Sequence, residues 1–234
     1  MDRGITTVIR VDINSLLARF GSIIGVAPEG LPIAGSVVAL GAGLALAGFR
    51  SSGIVLVILG AAVSGFFRDP ERHAAAVEAA VISGADGRVC DISAAVLPGS
   101  ESGAPYWRIS VFMSPLDVHV NRAPVSGEVT GLVHTKGEFR AAFRDAASEH
   151  NERNFIKIKD TIGRDYALVQ IAGYLARRII CRVRPRQPLD RGQRIGLIMF
   201  GSRVDHFLPG EYRVSVQVGD RVRAGETVIG EPPQ

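Results

Sequence analysis

The sequence predicts a mixed α+β protein: an N-terminal apolar helical hairpin followed by a mainly β domain of barrel or sandwich type. Two long uncharged stretches near the start predict the hairpin. After residue 67 the texture changes to short Val- and Ile-rich runs broken by Gly, Pro and Asp, and this predicts the β domain. The chain has 234 residues with 27 basic and 23 acidic side chains, yet its mean hydropathy is +0.20. The apolar residues are therefore concentrated locally. That content excludes disorder, and 12 prolines without a triplet repeat exclude a collagen-like chain.

Taken in order, residues 1–30 form an N-terminal flank in which residues 8–20 mix apolar side chains with Arg and Asp, as a short surface helix does. Residues 31–67 form the hairpin. Residues 31–49 and 51–67 carry no charge, and Arg50 alone separates them. At about 1.5 Å per residue each run crosses, or nearly crosses, a hydrocarbon core of ~30 Å. The first run is rich in glycine and alanine (Gly35, Gly41, Gly43, Ala45, Gly48), which let helices approach closely in lipid. The expected turn is Arg50-Ser51-Ser52-Gly53. Some thirty mixed residues precede the hairpin, so it is not a cleavable signal. Arg3, Arg10 and Arg19 before it and Arg68 and Arg72 after it place both ends in the cytosol. A hairpin packed on a soluble domain, or half-inserted in one leaflet, is the alternative.

Residues 68–234 form the β-rich domain, with strands expected over 107–113, 127–133, 156–158, 166–171, 179–183 and 212–218, and a helical insert over 141–151. Residues 218–226 (Val-Gly-Asp-Arg-Val-Arg-Ala-Gly-Glu) resemble the hairpins of lipoyl-type barrel-sandwich domains, without a lysine to carry a lipoyl group. Seven arginines crowd residues 177–194. No aromatic lies between Tyr174 and Phe200 to stack single-stranded bases, so anionic lipid headgroups are the other natural partner for the cluster, and a solvated arginine-rich face is the alternative. The two cysteines, Cys90 and Cys181, support neither a disulfide framework nor a Cys-based zinc site. They read as reduced thiols of a cytosolic face.

The common hydrolase, nucleotide-binding and zinc-protease signatures are absent. What remains is Arg68-Asp69-Pro70-Glu71-Arg72, Ala85-Asp86-Gly87, the run from Ser114 to Pro124 (Ser-Pro-Leu-Asp-Val-His-Val-Asn-Arg-Ala-Pro), Asn151-Glu152-Arg153-Asn154, and Phe200-Gly201-Ser202-Arg203-Val204-Asp205. In this order, behind an apolar hairpin, they resemble the short form of the phosphatidylserine decarboxylase family, from about residue 66 to the end.

The resemblance implies a proenzyme that cuts itself between Gly201 and Ser202, leaving chains 1–201 and 202–234 that stay associated. Ser202 becomes a covalent pyruvoyl group, which takes the amine of an aminophospholipid as a Schiff base and draws electrons from the departing carboxylate. The product is phosphatidylethanolamine, with no metal and no diffusible cofactor required. Gly201, lacking Cβ, suits a strained and accessible bond. A serine hydroxyl needs a base, and His119 fits that role as acid and base, with Asp86 similar to a carboxylate that orients the histidine in long-form members. Where those members carry a second histidine, this chain has Arg122, which cannot act as a base. His206, on the same strand face as Ser202 at a spacing of four, is the substitute base. Asn121 and Arg122 are the residues expected at the substrate headgroup. The expected location is the cytoplasmic face of the cell membrane, and association with further copies of the chain is left open. The competing reading is a non-catalytic, membrane-anchored β domain that binds a lipid or protein partner.

Overall fold

A computed structural model of the chain describes residues 13–74, 79–99, 103–137, 151–173, 178–199 and 201–233. The chain divides into two compact units, Met1–Pro70 and Glu71–Gln234. The helix expected over 141–151 falls, Asn151 apart, outside the described residues.

The first unit contains α1 (Ile13–Ile24), α2 (Gly30–Leu46) and α3 (Arg50–Phe66). The two uncharged runs form α2 and α3, which lie antiparallel. A Cβ on Gly41 would sit 2.8 Å from the Gly53 carbonyl oxygen, and one on Gly60 would strike Val38, so the glycines are what let the backbones meet. The connection falls at residues 47–49, one turn earlier than expected, because Gly48 takes φ +98° and ends α2. The Phe49 amide donates to the Leu44 carbonyl at 2.9 Å and the Gly48 amide to that of Ala45 at 3.3 Å. Arg50-Ser51-Ser52-Gly53 is consequently the first turn of α3. Ala27 donates to Phe67 and Asp69 to Gly25, both at 2.7 Å, closing the base of the pair. Among the described residues no helix is long and apolar enough to cross a membrane.

The second unit is mostly β. Its main sheet is an antiparallel, curled half-barrel of eight strands. In spatial order these are β13 (Arg221–Val222), β2 (Gly87–Val96), β3 (Pro105–Met113), β11 (Ser202–Pro209), β7 (Asp165–Ile171), β6 (Arg153–Lys159), β5 (Gly127–Thr135) and β9 (Pro188–Leu189). Two three-stranded sheets complete it. One joins β1 (Val81–Ile82), β14 (Val228–Glu231) and β12 (Arg213–Val214), and the other joins β4 (Val120–Arg122), β10 (Arg194–Ile198) and β8 (Ile179–Cys181).

Strand alternation sorts side chains onto the two faces of the main sheet. Ile109, Val111, Met113, Ile156, Ile158, Tyr166, Leu168, Val204 and Leu208 fill the larger core. Tyr106, Ala167, Val169, Ile171 and Phe207 fill a smaller one on the opposite face. Central strands buried on both faces read as continuous apolar runs, and β7 does. The run expected over 212–218 shrinks to the two residues of β12, because the chain turns at Gln217, whose backbone amide donates to the Asp220 carboxylate at 2.8 Å.

Candidate active site

Ser202 is the first residue of β11, and all eight residues of that strand are buried. The strand lies between β3 and β7, with Ser202 opposite Met113 and Arg203 opposite Ile171. The residue before it, Gly201, has φ +61°, in the left-handed region that L side chains rarely adopt, with open space where a Cβ would stand. The Ser202 side chain is fully buried, and its hydroxyl donates to the Met113 sulfur at 3.5 Å. A thioether is a weak acceptor, so this hydroxyl is easily drawn to a stronger one.

Alternation along β11 puts Ser202, Val204, His206 and Leu208 on the face of the larger core and Arg203, Asp205 and Phe207 on the other. Arg203 and Asp205 form a buried fork, Nε to Oδ1 at 2.8 Å and Nη2 to Oδ2 at 3.0 Å. Burial pushes the Asp205 carboxyl above its usual range, with the Arg203 charge opposing. These two residues of the Phe-Gly-Ser-Arg-Val-Asp run thus hold each other on the face away from Ser202.

His119 lies just before β4 and is buried. Its Nδ1 is 2.9 Å from the Asp117 carbonyl oxygen, which only accepts. The neutral ring therefore carries its proton on Nδ1 and its basic lone pair on Nε2. The His119 carbonyl accepts the Ile198 amide at 3.3 Å, anchoring this backbone three residues before Gly201. Asp117 closes its own turn, its carboxylate accepting the Ser114 amide at 2.8 Å and the Ser114 hydroxyl at 2.6 Å.

Asp86 is engaged elsewhere. Its carboxylate receives both guanidinium nitrogens of Arg72, at 2.5 and 2.8 Å, and the Ala224 amide at 2.8 Å. Arg122 donates to the Gly192 carbonyl at 3.0 Å and its stem runs beside Gly225. Asn121, its neighbour, points to the other side of β4 and donates to the Met113 sulfur at 3.6 Å. Of the two residues expected at a headgroup, Asn121 alone is shown sharing a contact with Ser202.

His206 spends both ring nitrogens on backbone. Nε2 accepts the Gly84 amide at 2.8 Å, and Nδ1 donates to the Ile109 carbonyl at 3.1 Å. Gly84 permits this approach, since a Cβ there would collide with Leu168 and the Arg122 carbonyl. Complete burial lowers the His206 pKa from 6.5 to about 4, only partly offset by the Ile109 bond. The ring is neutral and fixed as a link between β11 and residues 84–87.

Two residues of this cluster, Gln170 and Met113, stood outside the sequence reading of the site. Gln170 is fully buried on β7, donates to the Asn121 side-chain oxygen at 2.8 Å, and accepts from the Asn154 amide at 2.8 Å. Met113 lies beneath Ser202. An amide at the inward parity of an apolar strand, Tyr166-x-Leu168-x-Gln170, is the signal that marks Gln170 in the sequence.

Fold and site together define a mainly antiparallel α+β protein in which a Gly-Ser step opens a fully buried central strand. The family model for phosphatidylserine decarboxylase matches residues 59–230. A phosphatidylserine decarboxylase proenzyme of Chlorobium chlorochromatii is 48% identical over 70% of this chain and 76% of its own. Proteins of the same name from Mycobacteroides abscessus and Mycolicibacterium vanbaalenii are 44% and 41% identical. The first covers 88% of this chain and 87% of its own length, and the second 96% and 99%. The chain belongs to the phosphatidylserine decarboxylase family.

The His206 burial sets a pH dependence. Its folded pKa lies below the unfolded value, so protons favour the unfolded chain between about pH 6.5 and 4. The stability of the neutral ring is full above pH 6.5 and falls by about 3 kcal/mol on acidification across that window. Urea unfolding of Ser202→Ala, with and without His206→Gln, at several pH values measures this. The acid loss should shrink in the double variant, whereas equal losses would refute the assignment.

Proposed function

We propose that the chain decarboxylates phosphatidylserine to phosphatidylethanolamine and carbon dioxide after cutting its own Gly201–Ser202 bond. The observation that carries the reading is Gly201 held at φ +61° directly before a fully buried Ser202. The proenzyme names of the relatives accord with a precursor that is processed.

Self-cleavage uses the chain's own atoms. The Ser202 oxygen attacks the Gly201 carbonyl carbon while its proton passes to His119 Nε2, the basic nitrogen of the tautomer set by Asp117. Collapse of the tetrahedral oxyanion breaks the C–N bond, the nitrogen takes a proton, and an ester remains. Removal of the Ser202 α-proton then breaks the Cβ–Oγ bond and expels the Gly201 carboxylate, leaving a dehydroalanine. Water hydrolyses its imine tautomer to a terminal ketone and ammonia. That pyruvoyl group supplies an electron sink for decarboxylation of an amine substrate. The Met113 thioether and Asn121 amide beside Ser202 fit it, since they leave the position buried and free of competing charge.

His119 is the residue we assign to return a proton to substrate carbon, with Asn121 the better placed of the headgroup pair. The Asp86 partners support a positioning role on residues 84–87, tying Arg72 to the Ala224 turn. Both nitrogens of His206 being engaged supports a structural role for it. After cleavage the small chain, 202–234, keeps β11 hydrogen-bonded to β3 and β7 of the large chain, which supports a stable two-chain product. The pairing of β12 with β14 around the Gly219 and Gly225 turns supports the barrel-sandwich likeness of the C-terminal segment.

The reading also places the chain on the cytoplasmic face of the cell membrane. Leu40, Leu46, Phe49, Ile54, Val55, Ile58 and Leu59 are exposed on α2 and α3 and the turn between them, which supports embedding of this pair in lipid.

Two outcomes follow. Ser202→Ala should remain one 24.9 kDa chain on denaturing electrophoresis and release no carbon dioxide from phosphatidylserine vesicles; a cut or active variant overturns the reading. The full chain should float with phosphatidylserine-containing vesicles and Ile54→Asp/Ile58→Asp should not; equal flotation removes the membrane assignment.

A further inference from the structure

On the larger-core side of the main sheet, besides Ser202 and His206, lies a run of buried amides. Asn154 on β6 and Gln170 on β7 are directly opposite in register, and Asn121 stands on β4 in a different sheet. The Asn154 amide nitrogen donates to Gln170 Oε1, Gln170 Nε2 donates to Asn121 Oδ1, and Asn121 Nδ2 donates to Met113 Sδ, the atom that also receives the Ser202 hydroxyl. All three amides are buried to within 1% of completely.

The direction of this chain is physically determined. An amide side chain has a donating end and an accepting end, and the three are in series, so one orientation fixes all. A thioether offers only lone pairs, so the end that meets Met113 is the N–H end. Asn121 therefore presents a donor, satisfied only by a weak acceptor, beside the hydroxyl of Ser202. Burying such groups is costly unless each finds its partner, and a chain of amides that spans two sheets is a costly way to build structure alone.

Resting on the self-cleavage reading above, we infer that the Asn121 amide leaves the Met113 sulfur during self-cleavage and donates to the oxygen at Ser202 as charge develops there. Gln170 and Asn154 are positioning residues that keep its N–H end toward the reaction. As the Cβ–Oγ bond of the ester breaks and the electron pair stays on the ester oxygen, negative charge gathers on that oxygen. A preorganised N–H donor at this buried position lowers the barrier to that step, the one that separates the two chains. No oxidant, metal or further reactant enters.

The experiment follows cleavage of the freshly made full-length chain by cell-free synthesis and chase, read by electrophoresis. Asn121→Ala should cleave on the order of 100-fold more slowly, the usual loss for one such donor, while the thermal midpoint in a Ser202→Ala background shows that it folds. Gln170→Glu is the sharper test. Its carboxylate only accepts, which turns the Asn121 oxygen toward Ser202; protonated, the same side chain donates again and restores the original direction. The ratio of its cleavage rate to the wild-type rate should therefore rise as pH falls from 8 to 5, a trend that a merely structural role would not produce. Asn121→Ala cleaving at the wild-type rate overturns the inference, as does a Gln170→Glu ratio flat with pH. Either result with a cleaving wild type leaves the self-cleavage reading standing, whereas an uncut wild type removes both.

Discussion

Strand β11 carries hydrogen bonds on both edges and buried side chains on both faces, and the rest of the site is arranged around that constraint. Eight consecutive residues are buried, four of them polar or charged: Ser202, Arg203, Asp205 and His206. A strand so placed cannot leave polar groups to water. Each must find a partner inside the protein or carry a large desolvation cost. Arg203 and Asp205 satisfy one another, and His206 is satisfied by the backbone of Gly84 and Ile109. Among the described residues, Ser202 is shown donating to the Met113 sulfur. A thioether is a weak acceptor, so this hydroxyl, beside a glycine at φ +61°, is weakly held.

In the proposed self-cleavage, the same burial lets the chain lose the Gly201–Ser202 bond and keep its architecture. The new end lies at the first residue of a strand whose pairing to β3 runs from Ser202 to Pro209. The cut therefore removes covalent continuity at a turn without removing a ladder. It also leaves the reacting position among amides and a thioether, where burial strengthens the effect of charge on oxygen.

Much of this was legible in the sequence. The change of texture at residue 67 separates helices from strands at about the boundary of the two units. Short Val- and Ile-rich runs locate β3, β5, β6 and β7. Strand β11 is not among the apolar runs, because Ser-Arg-Val-Asp-His is mostly polar, and the spacing of Ser202 and His206 was the signal of a shared strand face. The Ser-Pro-Leu-Asp-Val-His-Val-Asn-Arg run shows its residue types but not their division. Asn121 faces the Ser202 side of β4, whereas Arg122 reaches Gly192 and Asp86 pairs with Arg72. Local spacing cannot report pairings made 14 residues or more away, and Gln170 is hidden in an apolar run. The hairpin turn was misplaced by a few residues because Gly48, rather than the charge at Arg50, decides where α2 stops.

The central claim is that residue 202 ends as a ketone at a new chain start, and capture of that carbonyl tests it most directly. Purified mature protein is treated with borodeuteride, and the small chain, 202–234, is measured by intact and fragment mass. The account predicts a chain that lacks a free α-amine, begins with a three-carbon keto acyl group, and gains two hydrogens, one of them deuterium, at that group on reduction. A small chain beginning with an ordinary serine amine, or a mature preparation with an intact Gly201–Ser202 bond and full activity, would contradict it.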